Sequence, residues 1–248
     1  MTAETEQDVQ GLKRAGQVAA LVLKTMLNHV RAGITTRELD QIGEKELKKY
    51  GARSAPKTQY NFPGATCISV NEEVAHGIPG ERRLKAGDKV NIDVSVEVDG
   101  YFADTGATVI IPPVSLEADR LCQAAQSALT KALQAARAGQ PLNELGRAVE
   151  EEAQRFGFTV VRNLCGHGVG RRLHEPPQHI LNYYHPDQTE RLEKGMVLAI
   201  EPFISMGDEF VLEADDGWTL IAPEGSWVAQ FEHTIIVTEK EPIILTAI

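Results

Sequence analysis

Five residues spread along the chain have types and settings suited to holding metal ions: Asp93, Asp104, His167, Glu201 and Glu232. The two aspartates stand in VNIDVSVEVDGYFADTG and His167 in CGHGVGRRLHEPP, with Glu201 in GMVLAIEPF and Glu232 in VAQFEHTIIV. Four carboxylates and one imidazole form a ligand set for two divalent cations held close together, because their four negative charges balance the ions. Each carboxylate has two oxygens and can span both ions, which an imidazole nitrogen cannot. Paired centres of this kind clamp a water between the ions and turn it into a nucleophile near neutral pH. The chemistry that such a set would support is hydrolysis.

The elements around these residues decide whether they can meet. Asp99-Gly100 signals a two-residue turn within a long hairpin over roughly residues 89–111. With Val98 opposite Tyr101, Ser95 faces Asp104, and Asp93 lies diagonally from Asp104 on the same face. Diagonal neighbours stand about 7–8 Å apart at the backbone, within reach of a shared metal pair. Val90, Ile92, Val94, Val96 and Val98 form a core stripe on the opposite face. The plain alternative is a solvated polar face, as in most antiparallel hairpins.

Glu201 enters an apolar strand just before a proline, where an unpaired charge is costly and calls for a partner or a metal. A strand-end glutamate in water is the alternative. Glu232 also enters an apolar strand, with Gln230 on the same side, and a half-buried strand with a polar outer face would explain it equally. Gly166, Gly168 and Gly170 flank His167 and let the backbone pass close to a metal or substrate. His174 closes the same loop. A lone histidine in a turn is most often a surface residue. His29, His179 and His185 stay in that class, and His76 in NEEVAHGIPG would join them on its own.

Along the chain, helical periodicity covers residues 7–32, with Gly33 as a C-terminal cap. Thr35 with Glu38 has the capping-box pattern and opens a helix through about Tyr50. A loop rich in Pro, Gly and Asn follows over 52–64, then short strands near 66–70 and 74–75. After the hairpin, Ser115 opens an Ala-rich helix ending at Gly139, and Pro141-Leu142-Asn143 leads into another ending at Gly157. Strands near 158–164, 196–203, 218–221 and 228–237 complete the chain. Two helices followed by strands, twice over, predict two similar halves within one catalytic domain spanning residues 1–248.

The totals narrow the functional classes. A 42% hydrophobic, 24% charged composition supports a core of normal size. The net charge of −10 argues against nucleic acid, which needs a basic patch to neutralise phosphates. Cys67, Cys122 and Cys165 are odd in number and lack CxxC spacing, so reduced thiols in the cytoplasm are expected. The polar N-terminus is unlike a secretory signal, and no apolar run approaches the roughly 18 residues of a membrane span. No membrane partner is expected, and nothing demands more than a monomer.

Rival motifs fail on context. His174-Glu175 does not open a helical H-E-x-x-H zinc motif, because position 178 is Gln and Pro176-Pro177 forbid the helix. G-H-G-V-G lacks the spacing of a dinucleotide loop and no helix can follow it through RRLHEPP. There is neither a G-x-S-x-G elbow nor a GK[ST] phosphate loop.

Asp93 and ADTG ten residues later, then GHGVGRRLHE, IEPF and QFEHT in that order, closely resemble the methionine aminopeptidases. The likeness extends from about residue 7 to 244. The short gap between His174 and Glu201 resembles the type I enzymes. This resemblance implies an α/β (α+β) pita-bread fold, with pseudo-twofold halves of helices packed on a curved antiparallel sheet. It implies removal of N-terminal methionine from peptides and nascent proteins by a water or hydroxide bridging two divalent ions. Co, Mn, Fe and Zn all suit the ligand set.

By position in the family's motifs, Asp93 would chelate one ion, Asp104 and Glu232 would bridge, and His167 and Glu201 would complete the second. Glu201 matches the general base, His174 the donor to the substrate amide, and His76 the histidine that assists proton transfer. Phe62, Cys67, Leu173, Phe203 and Trp218, with Gln230 beside them, match an apolar methionine pocket that would also include His76 and His174. Phe62 stands where tyrosine is usual, and Leu173 where an aromatic is usual. Two rivals remain: a proline-directed relative of the same fold, and a metal-free member acting as a binding module.

Overall fold

A computed structural model describes residues 1–247. The first helix, α1 (Glu6–Leu27), starts where the Thr5 hydroxyl accepts from Asp8 N at 3.1 Å and the Asp8 carboxylate reaches back to Thr5 N at 3.1 Å. Satisfying two free donors at once fixes the start of a helix. It stops at Leu27, short of the expected residue 32, and Gly33 (φ 93°) gives its N–H to Leu84 in a separate turn. Helix α2 (Thr36–Lys49) has the expected Thr35–Glu38 box. The segment expected to be a loop instead holds β1 (Arg53–Ser54) and α3 (Ala55–Tyr60). Its Ser and Pro are helix-start residues: Ser54 caps α3, and Pro56 sits in the first turn, where no amide donor is needed.

Strands β2 (Cys67–Val70), β3 (Glu73–Ala75), β4 (Lys89–Val98) and β5 (Tyr101–Ile110) follow. The β4–β5 register is the one the Asp99-Gly100 turn predicts, with Val98 opposite Tyr101 and Ser95 opposite Asp104. Strand β2 pairs on the other side of β4, setting Cys67 opposite Asp93. The valine stripe of β4 is buried against α1, in a core that also takes in Leu39 and Leu47 of α2. Burial of each such side chain contributes about 1.5–3 kcal/mol.

Helix α4 (Leu116–Ala135) ends before Gly139 because Ala138 N and Gly139 N bond Thr238 and Leu192 instead of continuing the helix. Helix α5 (Asn143–Arg155) follows. The remaining strands are β6 (Thr159–Val160), β7 (Cys165–Gly168), β8 (Glu175–Leu181), β9 (Val197–Ile200), β10 (Phe203–Ser205), β11 (Leu212–Glu213), β12 (Leu220–Ile221), β13 (Val228–Gln230), β14 (His233–Ile236) and β15 (Ile243–Ile244). A second apolar cluster, including Leu121, Leu145, Leu198 and Ile235, packs α4 and α5 on these strands.

The two halves meet along β5. Asp104 N donates to the Thr234 hydroxyl at 2.8 Å, that hydroxyl donates to Asp104 O, and Glu232 N donates to Gly106 O. The polar face of the hairpin is therefore not solvated: Lys89, Asn91, Ser95, Glu97 and Asp104 are all buried. Among the described residues, no helix is long and apolar enough to cross a membrane.

Candidate functional site

His167 belongs to strand β7 rather than to a turn, and pairs with Ala199 of β9. The glycines around it serve close strand packing. A Cβ at Gly166 would lie 2.4 Å from Ala199 O, and one at Gly168 would lie 2.2 Å from Pro176 O. His167 donates from Nδ1 to its neighbour Gly168 O at 2.9 Å, which leaves the Nε2 lone pair free. That nitrogen faces Glu201 Oε1 at 3.4 Å and Asp104 Oδ2 at 3.9 Å. Burial pushes the His167 pKa down to about 4, so the ring is neutral at pH 7.

Asp104, His167 and Glu232 each bring one ligand atom into a group whose members lie within 4.8 Å of one another. Glu232 Oε2 accepts from Gln230 Nε2 at 3.0 Å. Its other oxygen, with Asp93 Oδ1 and Asp104 Oδ1, is buried without any hydrogen-bond partner. A lone unpartnered carboxylate oxygen in the interior costs several kcal/mol. Burial first, and then the Asp104 charge, raise the pKa values of Asp93, Glu201 and Glu232 well above the usual carboxylate range. Divalent cations would reverse both effects, supplying the missing partners and the opposite charge. The residues present therefore fit a metal centre.

Beside these acids lies a recess of about 90 Å³, walled by Phe62, Cys67, Leu173 and Trp218. Asn61, at φ 58°, turns the chain after α3 so that Phe62 points inward. There it meets the edge of Trp218 at 5.2 Å between centroids. An adjoining space of about 270 Å³ adds Phe203, Cys165 and His179. His76 and His174 border both spaces. Both histidines expose surface, but into the recess, and burial among protein atoms lowers both pKa values. His76 adopts φ 54°, a conformation strained for a non-glycine residue and typical of sites where geometry matters more than stability. A larger cavity of about 620 Å³ lies on the helix side, with mixed walls that include Leu23, Leu129, Leu133, Gln126 and Glu232.

Gln230, expected in the methionine pocket, does not line the recess. Its side chain is buried behind the acids, accepting from Asn91 Nδ2 at 2.8 Å and donating to Glu232. It lies on the Glu232 side, two residues away, but Asn91 holds it away from the opening. Tyr60 was not singled out from the sequence. It lies on the rim, 2.8 Å from His174 Nδ1, and a helix hidden in a Pro- and Gly-rich segment offered no signal for it.

The model of metallopeptidase family M24 matches residues 10–239. The chain is 49% identical to methionine aminopeptidase 2 of Bacillus subtilis, over 99% of this chain and 99% of that protein. The crystal structure of methionine aminopeptidase from Thermotoga maritima has a TM-score of 0.96 at 36% identity, over 100% of both chains. A prolidase from Pyrococcus furiosus shares the fold at 22% identity and a TM-score of 0.78, with 98% of this chain matching 65% of that longer one.

Proposed function

The chain belongs to metallopeptidase family M24, and from that premise we propose that Asp93, Asp104, His167, Glu201 and Glu232 hold two divalent metal ions. The chain is a metal-dependent aminopeptidase with the pita-bread fold, and it removes the N-terminal methionine from peptides and nascent proteins. The supporting observation is that Asp104 and Glu232, each with a buried, unpartnered carboxylate oxygen, gather with His167, whose Nε2 is free. Asp93 would hold one ion, His167 and Glu201 the other, with Asp104 and Glu232 shared between them. When bound, such ions supply a water nucleophile at neutral pH and polarise the scissile carbonyl.

The chain's own groups do the rest. Glu201, ionised once the cations offset the burial that raises its pKa, would accept the proton of the attacking water. His174 donates a hydrogen bond to the substrate amide and stabilises the developing oxyanion. His76, across the recess, passes a proton to the departing amine. Phe62, Cys67, Leu173, Phe203 and Trp218 enclose the methionine side chain, whose flexible thioether suits an adaptable apolar wall. Burial raises the Cys67 pKa far above neutrality, so its thiol stays uncharged beside the substrate.

Both halves contribute ligands, so we read residues 1–248 as one catalytic domain. Between His174 and Glu201 the described residues hold β8, a loop and β9 without a helix, which supports type I. The site is complete within one chain, in keeping with a cytoplasmic monomer acting where new N-termini emerge. Co, Mn, Fe and Zn all remain compatible with the ligand set.

Metal analysis of the purified protein, together with cleavage of Met-Ala-Ser against an X-Pro peptide, tests the reading. Bound divalent metal with preferred release of Met supports it. Preference for the proline peptide assigns the chain to the prolidase branch, and absence of both metal and hydrolysis across several divalent ions makes it a binding module.

A further inference from the structure

Tyr60 has no part in the chemistry above, yet its hydroxyl and His174 Nδ1 lie 2.8 Å apart. The two rings also touch, with centroids 5.5 Å apart and planes tilted by 56°. Tyr60 is the last residue of α3, a helix fixed at its start by the Ser54 cap and Pro56. The left-handed Asn61 that follows sends Phe62 into the interior and leaves Tyr60 on the rim, 43% exposed. Its hydroxyl makes no other hydrogen bond among the described residues.

A phenol and a neutral imidazole can share a hydrogen bond in two ways. The phenol O–H donates to a bare Nδ1, and the ring proton then sits on Nε2. Alternatively Nδ1–H donates to the phenol oxygen, and Nε2 carries only a lone pair. The choice decides what His174 can do. A substrate carbonyl can only accept, so it needs the Nε2–H form. A bare Nε2 would offer that carbonyl a repelling lone pair.

We propose that Tyr60 is a positioning residue that holds His174 in its Nε2–H tautomer by donating its hydroxyl proton to Nδ1, thereby aiming a hydrogen-bond donor at the scissile carbonyl. This inference rests on the peptidase reading above. His167 solves the same problem with opposite polarity. There Nδ1–H donates to the Gly168 carbonyl, and Nε2 is left bare as a ligand. The two rings lie 4.1 Å apart, and their tautomers are set in opposite senses by what stands at each Nδ1. A carbonyl at one Nδ1 makes a metal ligand, and a phenol at the other makes a donor.

The test is Tyr60→Phe, which keeps the ring against His174 and deletes only the hydroxyl at a partly exposed site. Zinc-loaded wild type and variant, labelled with ¹⁵N at histidine, report the tautomer directly, with the His174 signals assigned through His174→Gln. Wild type should show protonated Nε2 and bare Nδ1 at His174, and the variant a mixture. On Met-Ala-Ser, kcat should fall roughly threefold to tenfold, the worth of one hydrogen bond, with KM changed by less than about twofold. Protonated Nδ1 in the wild type overturns the proposal, as does a variant whose spectrum and kcat are both unchanged. If the tautomer responds as expected but wild type does not cleave Met-Ala-Ser, the tautomer assignment stands and the peptidase reading falls.

Discussion

Over the first half of β4, one buried face behaves in opposite ways at its two ends. Lys89, Asn91 and Asp93 occupy alternate positions on it. At the first, the Lys89 ammonium donates to Glu73 O at 2.9 Å and Val228 O at 3.0 Å. At the second, the Asn91 amide donates to Gln230 Oε1 at 2.8 Å. At the third, Asp93 keeps an oxygen with no partner, as do Asp104 and Glu232 nearby. Donors thus match acceptors over two positions, and then acceptors accumulate alone. A buried polar face is stable where it balances itself. The unbalanced end is where the protein needs charge from outside, and that surplus marks it as functional rather than structural.

Glu201→Gln breaks the comparison most sharply. Removing one carboxylate should lower kcat on Met-Ala-Ser by at least roughly a thousandfold, because base and ligand charge go together. The metal-free variant should nevertheless melt higher than metal-free wild type, since glutamine needs neither a buried charge nor an added proton to fold. Turnover within about tenfold of wild type would remove Glu201 from the role of base. His76→Ala should cost less, roughly a hundredfold in kcat, and leave metal content near normal. Loss of metal would instead make His76 a ligand.

Removing the ions exposes the acidic end to pH. Asp93, Glu201 and Glu232 have folded pKa values raised above their unfolded ones, through burial and then the Asp104 charge. Between those values the folded state binds more protons than the unfolded chain, so stability of the metal-free protein should fall as pH rises from about 4. Divalent ions at a hundred times their Kd should restore about 2.7 kcal/mol. Binding should also release protons, visible in calorimetry as a heat that changes with the buffer's ionisation enthalpy. A metal-free melting temperature that rose with pH from 4 to 7 would contradict the surplus of buried acid.

How much of this was legible in the sequence follows from the same contrast. Asp99-Gly100 set the hairpin register, and each proposed ligand sat in an apolar or glycine-rich setting that marked it. The balanced end carried no such mark. Lysine on the polar face of a hairpin reads as exposed, and it is the packing of β3 and β13 around it that explains how Lys89 comes to be fully buried. Glycines beside His167 read as a turn, although they are there so that neighbouring carbonyls can approach. Helix α3, and Tyr60 with it, was hidden because its Ser and Pro start a helix as readily as they make a loop.

The smallest effect should come from Lys89→Met, which attacks the balanced end. The variant keeps an unbranched side chain of similar length but leaves two buried carbonyls unpaired, a loss of about 2 kcal/mol. Against this stands the cost of burying the ammonium, since burial lowers its pKa to about 7. The unfolded pKa lies near 10.4. Between those values the unfolded chain holds the proton and the folded one does not, so wild-type stability gains with rising pH. Methionine has no proton to shed. The stability advantage of wild type over Lys89→Met, measured by denaturant titration, should therefore widen from pH 7 to 10 and be smallest below 7. A gap that stayed flat would mean that Lys89 remains charged throughout, and that the protein tolerates a full buried cation at the end of β4 opposite its acids.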